Sequence, residues 1–305
     1  MTSFIQNTDF FAGNNPETIA SEYGTPVYVY NEKILRDRMA KVAKVITKYP
    51  YTANYSVKAN TNIHILKLAL EEGLNCDAMS VGEITLLMKA GFPVERIFFV
   101  PNNVAPYELA FALKNGVMTS LDSLSQLELF GEVCNQMKIE PEKRKCAVRI
   151  NPGVGAGHCE KVVTGGKKTK FGIAEYSIPQ IFEIAEKYQI TIAGINQHIG
   201  SLFMDPQPYL DAVTNLLRIA HQFKNLEFID FGGGYGIPYH KLDDEKDFPM
   251  EDFKTRLEPI LDEFVASYGK APLFKSEPGR FCVAEGSVIL GRVHATKENS
   301  GIQFA

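Results

Sequence analysis

Lys58 stands in the run YSVKAN, at the end of a short stretch rich in β-forming residues, and its amine is a candidate nucleophile. Drawn into an apolar mouth, a lysine loses hydration, its charged form is disfavoured, and it becomes able to form an imine with an aldehyde. Alone, a strand-end lysine is more often a solvated side chain. Lys58 has company. His198 sits in HIGS; Gly232, Gly233 and Gly234 form the run in FGGGYGIPY; Glu277, Gly279 and Arg280 fall in EPGR. A glycine run leaves backbone N–H groups bare where a phosphate would approach, and a carboxylate suits a protonated ring nitrogen. The set meets the needs of pyridoxal 5'-phosphate, which requires an imine-forming lysine, a phosphate cup and a partner for its pyridine nitrogen. Neither of two other phosphate motifs fits: the glycine loop does not read as GxGxxG, and GGKKT at 165–169 lacks the Walker order.

These residues are far apart in the chain, so the fold must gather them. Short β-rich runs alternate with stretches of helical periodicity. The strands are expected to end near Lys58, Ser80, Asn103, Asp122, Pro152, Gly200, Gly234 and Arg280. Eight strands, each followed by a helix-length segment, predict an α/β fold, a TIM-type (β/α)8 barrel; a doubly wound open sheet is the other arrangement considered. A barrel brings strand C-termini to one mouth, and here these carry Lys58, Asp77, Asn102, Asp122, Arg149, His198, the glycine run and Glu277 with Arg280. Helix punctuation agrees. Asp205 and Pro206 read as an N-cap and first-turn proline before an apolar face of Tyr209, Val213, Leu216, Leu217 and Ala220. Phe253, Leu257, Ile260, Leu261, Phe264 and Tyr268 form a second face, in which Pro259 should kink the helix or mark its start. Residues 1–30 and 283–305 fall outside the count and hold the strand-like runs TPVYVYN and GSVILGRVHATK.

Composition narrows the partners. With 305 residues, 45% hydrophobic and 22% charged, the chain can bury a sizeable core. A net charge of −4 without a basic stripe argues against nucleic acid and for a small molecule. No secretory pattern opens the sequence and no run is apolar enough to span a membrane, so a cytoplasmic protein without a membrane partner is expected. Five widely spaced cysteines suit reduced thiols, and Cys159 beside His158 lacks the second pair that a metal site needs, so no metal is expected.

From about Thr25 to Ala305 the sequence resembles the fold-type III pyridoxal-phosphate decarboxylases of basic amino acids, which have alanine racemase-like barrels. YSVKAN is similar to the family's cofactor-lysine motif, HIGS to its histidine motif, GGGYGIPY to its glycine loop and EPGR to its phosphate and substrate motif. The stretch RINPGVGAGHCEKVVTGGKKTKFGI resembles the branch acting on meso-2,6-diaminopimelate more than the ornithine or arginine branch. The resemblance implies that Lys58 and His198 are catalytic: Lys58 holds the cofactor and later returns a proton, and His198 stacks on its ring. Asp77 and Glu83 match acidic positions near that lysine, and Arg149 belongs to the cofactor site. Ser201 would reach the phosphate, with Gly232, Gly233, Gly234, Gly279 and the Arg280 backbone around it. Glu277 would face the pyridine nitrogen, favouring loss of CO2, where an arginine, as in alanine racemases, would leave a weaker electron sink. The Arg280 side chain would clamp a substrate carboxylate, and the product implied is L-lysine.

Members of the family continue for about a hundred residues into a β-rich domain, which by resemblance carries a cysteine motif reaching a neighbouring subunit's site. TKENSG before GIQFA reads as a hairpin turn. The expected division is therefore residues 1–30 as a segment pairing with that β domain, 31–282 as the barrel and 283–305 as the start of the C-terminal β domain. A homodimer is expected where that domain is whole. Two other functions stay open: decarboxylation of another basic amino acid, of the ornithine, arginine or carboxynorspermidine type, and a non-catalytic barrel that binds the cofactor.

Overall fold

The computed structural model describes residues 9–153, 166, 169–239 and 245–305. The stretch that resembles the diaminopimelate branch, with Cys159 and His158, lies largely outside the described residues.

The chain enters through β1 (Val27–Tyr30) and then lays down β2 (Tyr51–Ser56), β3 (Asn75–Ala78), β4 (Ile97–Phe99), β5 (Met118–Leu121) and β6 (Lys145–Asn151). After a short β7 (Ile173–Ala174) come β8 (Thr191–Asn196), β9 (Phe228–Asp230) and β10 (Leu273–Ser276). All of these except β1 pair in parallel, in the order β5-β4-β3-β2-β10-β9-β8-β6 with the short β7 beside β6, and β5 closes on β6. The result is a closed eight-stranded barrel with helices between its strands; the open-sheet arrangement is excluded by that last pairing. The strands stop one to four residues short of the expected ends, because the loops carrying the motifs turn inward before the ladder ends.

Alternation along each strand separates two environments. On β4, Ile97 and Phe99 pack in the large core between barrel and helices, whereas Phe98 joins Ala147, Ala193 and Phe228 in a small inner cluster. The inner positions nearer the C-terminal ends are polar and buried: Asn54, Asp77, Ser120, Arg149, Asn196, Asp230 and Glu277. The outer core is apolar from both sides. Tyr209, Val213, Leu216, Leu217 and Ala220 of the helix Gln207–Ala220 are buried, and Asp205 Oδ1 accepts from Gln207 N at 2.9 Å to cap it.

Two expectations are refined. The helix Met250–Tyr268 contains Pro259, so the proline does not mark its start. Thr255, whose carbonyl loses its usual donor there, is exposed, so water can take that bond. Lys58 is not buried: it lies in the single 3-10 turn Val57–Ala59 just after β2, where Val57 faces the core and Lys58 is exposed in the open mouth.

Outside the barrel, β11 (Ser287–Leu290) pairs antiparallel with β1 in a register from Val27 opposite Leu290 to Tyr30 opposite Ser287. The expected hairpin forms between β12 (Lys297–Asn299) and β13 (Ile302–Phe304), with Ser300 and Gly301 at φ 54° and 80°. Among the described residues no helix is long and apolar enough to cross a membrane.

Candidate active site

A cavity of about 360 Å³ opens at the C-terminal mouth of the barrel, and its walls include Ser56, Lys58, His198, Ser201, Gly234, Glu277, Gly279 and Arg280. Seven of these are positions singled out from the sequence. Four others, Asp77, Arg149, Gly232 and Gly233, do not line it, and their contacts show how they shape it.

The glycine run and the EPGR segment are pressed together behind the wall. Glu277 N donates to Gly232 O at 2.9 Å, and Ser56 N donates to Pro278 O at 3.1 Å, so the ends of β2, β9 and β10 hold one another. A Cβ on Gly233 would stand 1.8 Å from Glu277 O. Gly233 is therefore fixed by the close approach of two backbones. Gly234, at φ 119°, presents bare backbone to the cavity itself. Gly233→Ala is expected to cost more than about 3 kcal/mol, as overpacking against a backbone that cannot yield. Gly82→Ala, whose Cβ would meet nothing nearer than 3.7 Å, should leave the denaturant midpoint unchanged or raised. A Gly233→Ala midpoint near that of the wild type would refute the packing argument.

His198 lies against the same loop, with Gly233 N donating to its Nδ1 at 3.3 Å. That bond leaves Nδ1 as the bare nitrogen. Desolvation, then the nearby charges of Lys58 and Arg149, hold its pKa well below the usual histidine range, so the imidazole is neutral. The unfolded chain takes up this proton at about pH 6.5 and the folded site resists it. The stability tied to His198 is thus complete above that pH and falls as pH drops toward the folded pKa. Denaturation of the cofactor-free chain should show wild type losing more stability than His198→Phe between about pH 7 and 5. Equal losses would mean that the folded imidazole is already charged.

Beneath the wall lies a group of buried acids. Asp77 accepts from Ser56 Oγ at 2.6 Å; Asp230 accepts from Gly232 N at 2.9 Å and Asn54 Nδ2 at 3.2 Å. Burial raises the pKa of Asp77, and the Glu277 charge raises it further, while Lys58 opposes. Burial likewise raises Glu277, against the pull of Lys58, Arg149 and Lys275. Arg149 is buried with its guanidinium 4.8 Å from the Phe171 ring centroid, and Glu277 is the main charge that favours its protonated form. Glu83 accepts from Met79 N at 2.6 Å at the head of its helix, and Met79 Sδ is 3.9 Å from Lys58 Nζ. Asp122 is held by Asn102. No cluster among the described residues could hold a metal ion.

Sequence reasoning passed over Tyr239, Asn60, Lys275 and Asp230. The first two line the cavity; the last two sit opposite each other in the barrel interior, where Lys275 Nζ is 3.8 Å from the Phe228 ring centroid. Tyr239 ends the glycine loop GGGYGIPY, and that position was its only signal.

A phosphorylated pyridine aldehyde fits what is here. Glu277 Oε1 is buried with no hydrogen-bond partner, an acceptor waiting for a donor in the wall of a cavity. Lys58 offers an amine, and Gly234, Gly279 and Ser201 offer bare backbone and a hydroxyl for an anion.

Comparison with known proteins agrees. Residues 32–284 match the family described as pyridoxal-dependent decarboxylase, pyridoxal binding domain. Diaminopimelate decarboxylase of Methanothermobacter thermautotrophicus is 38% identical over 94% of this chain and 67% of its own length. The Staphylococcus aureus enzyme of that name is 32% identical over 94% of this chain and 68% of its own. The crystal structure of diaminopimelate decarboxylase from Helicobacter pylori complexed with L-lysine superposes with a TM-score of 0.85, at 26% identity, covering 93% of this chain and 71% of that one. The chain thus spans about two thirds of the curated relatives' length. On its matched residues, its closed barrel and its mouth, this chain belongs to the pyridoxal-dependent decarboxylases, with pyridoxal 5'-phosphate as the cofactor of its barrel.

Proposed function

We propose that the protein decarboxylates meso-2,6-diaminopimelate to L-lysine and CO2, a step of lysine biosynthesis. The observation that carries this reading is the unpartnered, buried carboxylate oxygen of Glu277 in the wall that also bears the Lys58 amine. The names and coverage of the relatives support the substrate.

When bound, the cofactor supplies an electron sink conjugated to the substrate Cα. The remaining work belongs to the chain. Lys58 Nζ would hold the cofactor and later supply a proton at the substrate Cα. Glu277 would hold a proton at the ring nitrogen, which maintains the sink. His198, neutral and fixed by Gly233, would help hold the cofactor without adding charge. Ser201, Gly234, Gly279 and the Arg280 backbone hold the phosphate; Gly232 and Gly233 act behind them by locking the two loops. Asp77 and Arg149 set the field around Glu277. The Arg280 side chain would take the carboxylate that the substrate keeps, and the walls would orient the substrate so that position selects which bond breaks.

Incubating the cofactor-loaded chain with meso-diaminopimelate, ornithine, arginine and lysine tests the assignment. L-lysine formed from diaminopimelate alone is the expected result; turnover of ornithine or arginine in its place overturns it. A second reading is a barrel that binds the cofactor without turnover, and the same assay would then show a visible band with no product.

We read residues 31–282 as the cofactor barrel, 1–30 as a segment pairing with a C-terminal β module, and 283–305 as the start of that module; the β1–β11 ladder supports this division. We place the protein in the cytoplasm, as a homodimer where the β domain is whole. Cys76, Cys134, Cys146 and Cys282 are free and buried, which suits a reducing compartment.

A further inference from the structure

The loop after β9 delivers one more polar group to the cavity than its glycines explain. Tyr239 lines the wall and is 54% exposed. Its hydroxyl accepts from Arg280 Nη1 at 2.5 Å, and the guanidinium carbon lies 5.7 Å from the centroid of its ring. Arg280 Nε reaches Ser201 Oγ at 3.4 Å on the other edge. Among the described residues no ion pair to Arg280 is present, and two neutral hydroxyls orient the fork. A carboxylate partner would have cancelled its charge.

An exposed tyrosine gains little by burial, so the Arg280 contact is what this position provides. The base of the loop is stiff. Phe203 and Tyr235 form a parallel bridge, Phe203 N donates to Gly234 O at 3.2 Å, and Gly236 N donates to Phe203 O at 3.0 Å. Tyr235 and Ile237 are buried, which leaves Tyr239 to project from an anchored segment.

We propose that Tyr239 is a positioning residue: it aims the Arg280 guanidinium into the cavity at a substrate carboxylate, so that the site prefers an amino acid bearing a second carboxylate. This rests on the function proposed above. Its chemistry is a directed fork, which takes the carboxylate that the substrate keeps through the reaction and so distinguishes diaminopimelate from a diamine of the same length that has none.

The test titrates cofactor-loaded wild type, Tyr239→Phe, Arg280→Lys and the double variant with meso-diaminopimelate and with cadaverine, the diamine that has no carboxylate, following the visible band. The cofactor dissociation constant and melting temperature are measured for each. Tyr239→Phe is expected to weaken diaminopimelate binding about tenfold, the size of one hydrogen bond to a charged group. Cadaverine binding should change less than about twofold, with cofactor binding and melting unchanged. In the Arg280→Lys background the tyrosine change should cost nothing further. Equal weakening of both ligands, loss of cofactor affinity, or an undiminished cost in the Arg280→Lys background overturns the positioning role alone. A wild-type band indifferent to diaminopimelate overturns the substrate assignment, and this role with it.

Discussion

Lys58→Ala is expected to abolish the visible, borohydride-reducible attachment of the cofactor and to lower turnover by about 10³-fold or more. Among the described wall residues Lys58 supplies the only amine. The nearest substitute by chemistry, Lys275, lies two residues before Glu277 in the barrel interior, with Nζ between the Phe98 and Phe228 rings at 4.9 and 3.8 Å from their centroids. It cannot take over the attachment without leaving that place. The variant should fold, because the side chain it loses is exposed. Absorbance, borohydride trapping and peptide mapping check the outcome, and a reducible band in the variant would refute the role of Lys58.

The second large effect concerns Glu277. Glu277→Gln preserves shape and burial but removes the charge that keeps the ring nitrogen protonated. Loss of CO2 should slow by about 10²- to 10³-fold, the scale of removing one preorganised electrostatic partner. Cofactor attachment through Lys58 should persist, so the variant separates binding from chemistry. The substitution removes a charge that raises the Asp77 pKa and also the main charge that favours protonated Arg149, so the melting temperature of the variant is measured beside its rate. Single-turnover rates with the band intact are the check; a wild-type rate in Glu277→Gln would show that the ring does not depend on this carboxylate.

Much of this fold is legible in the amino-acid order because each strand is short, β-rich and closed by glycine, proline or a polar residue. YTANYS, NCDA, KCAVRIN and TIAGIN all became parallel strands of one barrel. Pro259 does not mark the start of its helix, because a proline on the exposed side sacrifices a bond that water replaces. Lys58 misled in burial, since the turn that ends β2 points Val57 inward and its neighbour out. The glycine loop was legible as a feature and less so in its cause: Gly233 is dictated by the backbone of Glu277, a contact across 44 positions that no local pattern encodes. Tyr239, Lys275 and Asp230 escaped notice because an ordinary residue type acquires meaning only from what faces it across the barrel.

The central claim is that this cavity removes a carboxyl group from diaminopimelate. The most direct measurement supplies the cofactor-loaded chain with carboxyl-labelled meso-diaminopimelate and counts labelled CO2 and L-lysine together, with Lys58→Ala as control. The account predicts equal amounts of the two from the wild type and none above background from the variant. A wild-type chain that shows the cofactor band yet releases no CO2 would contradict it.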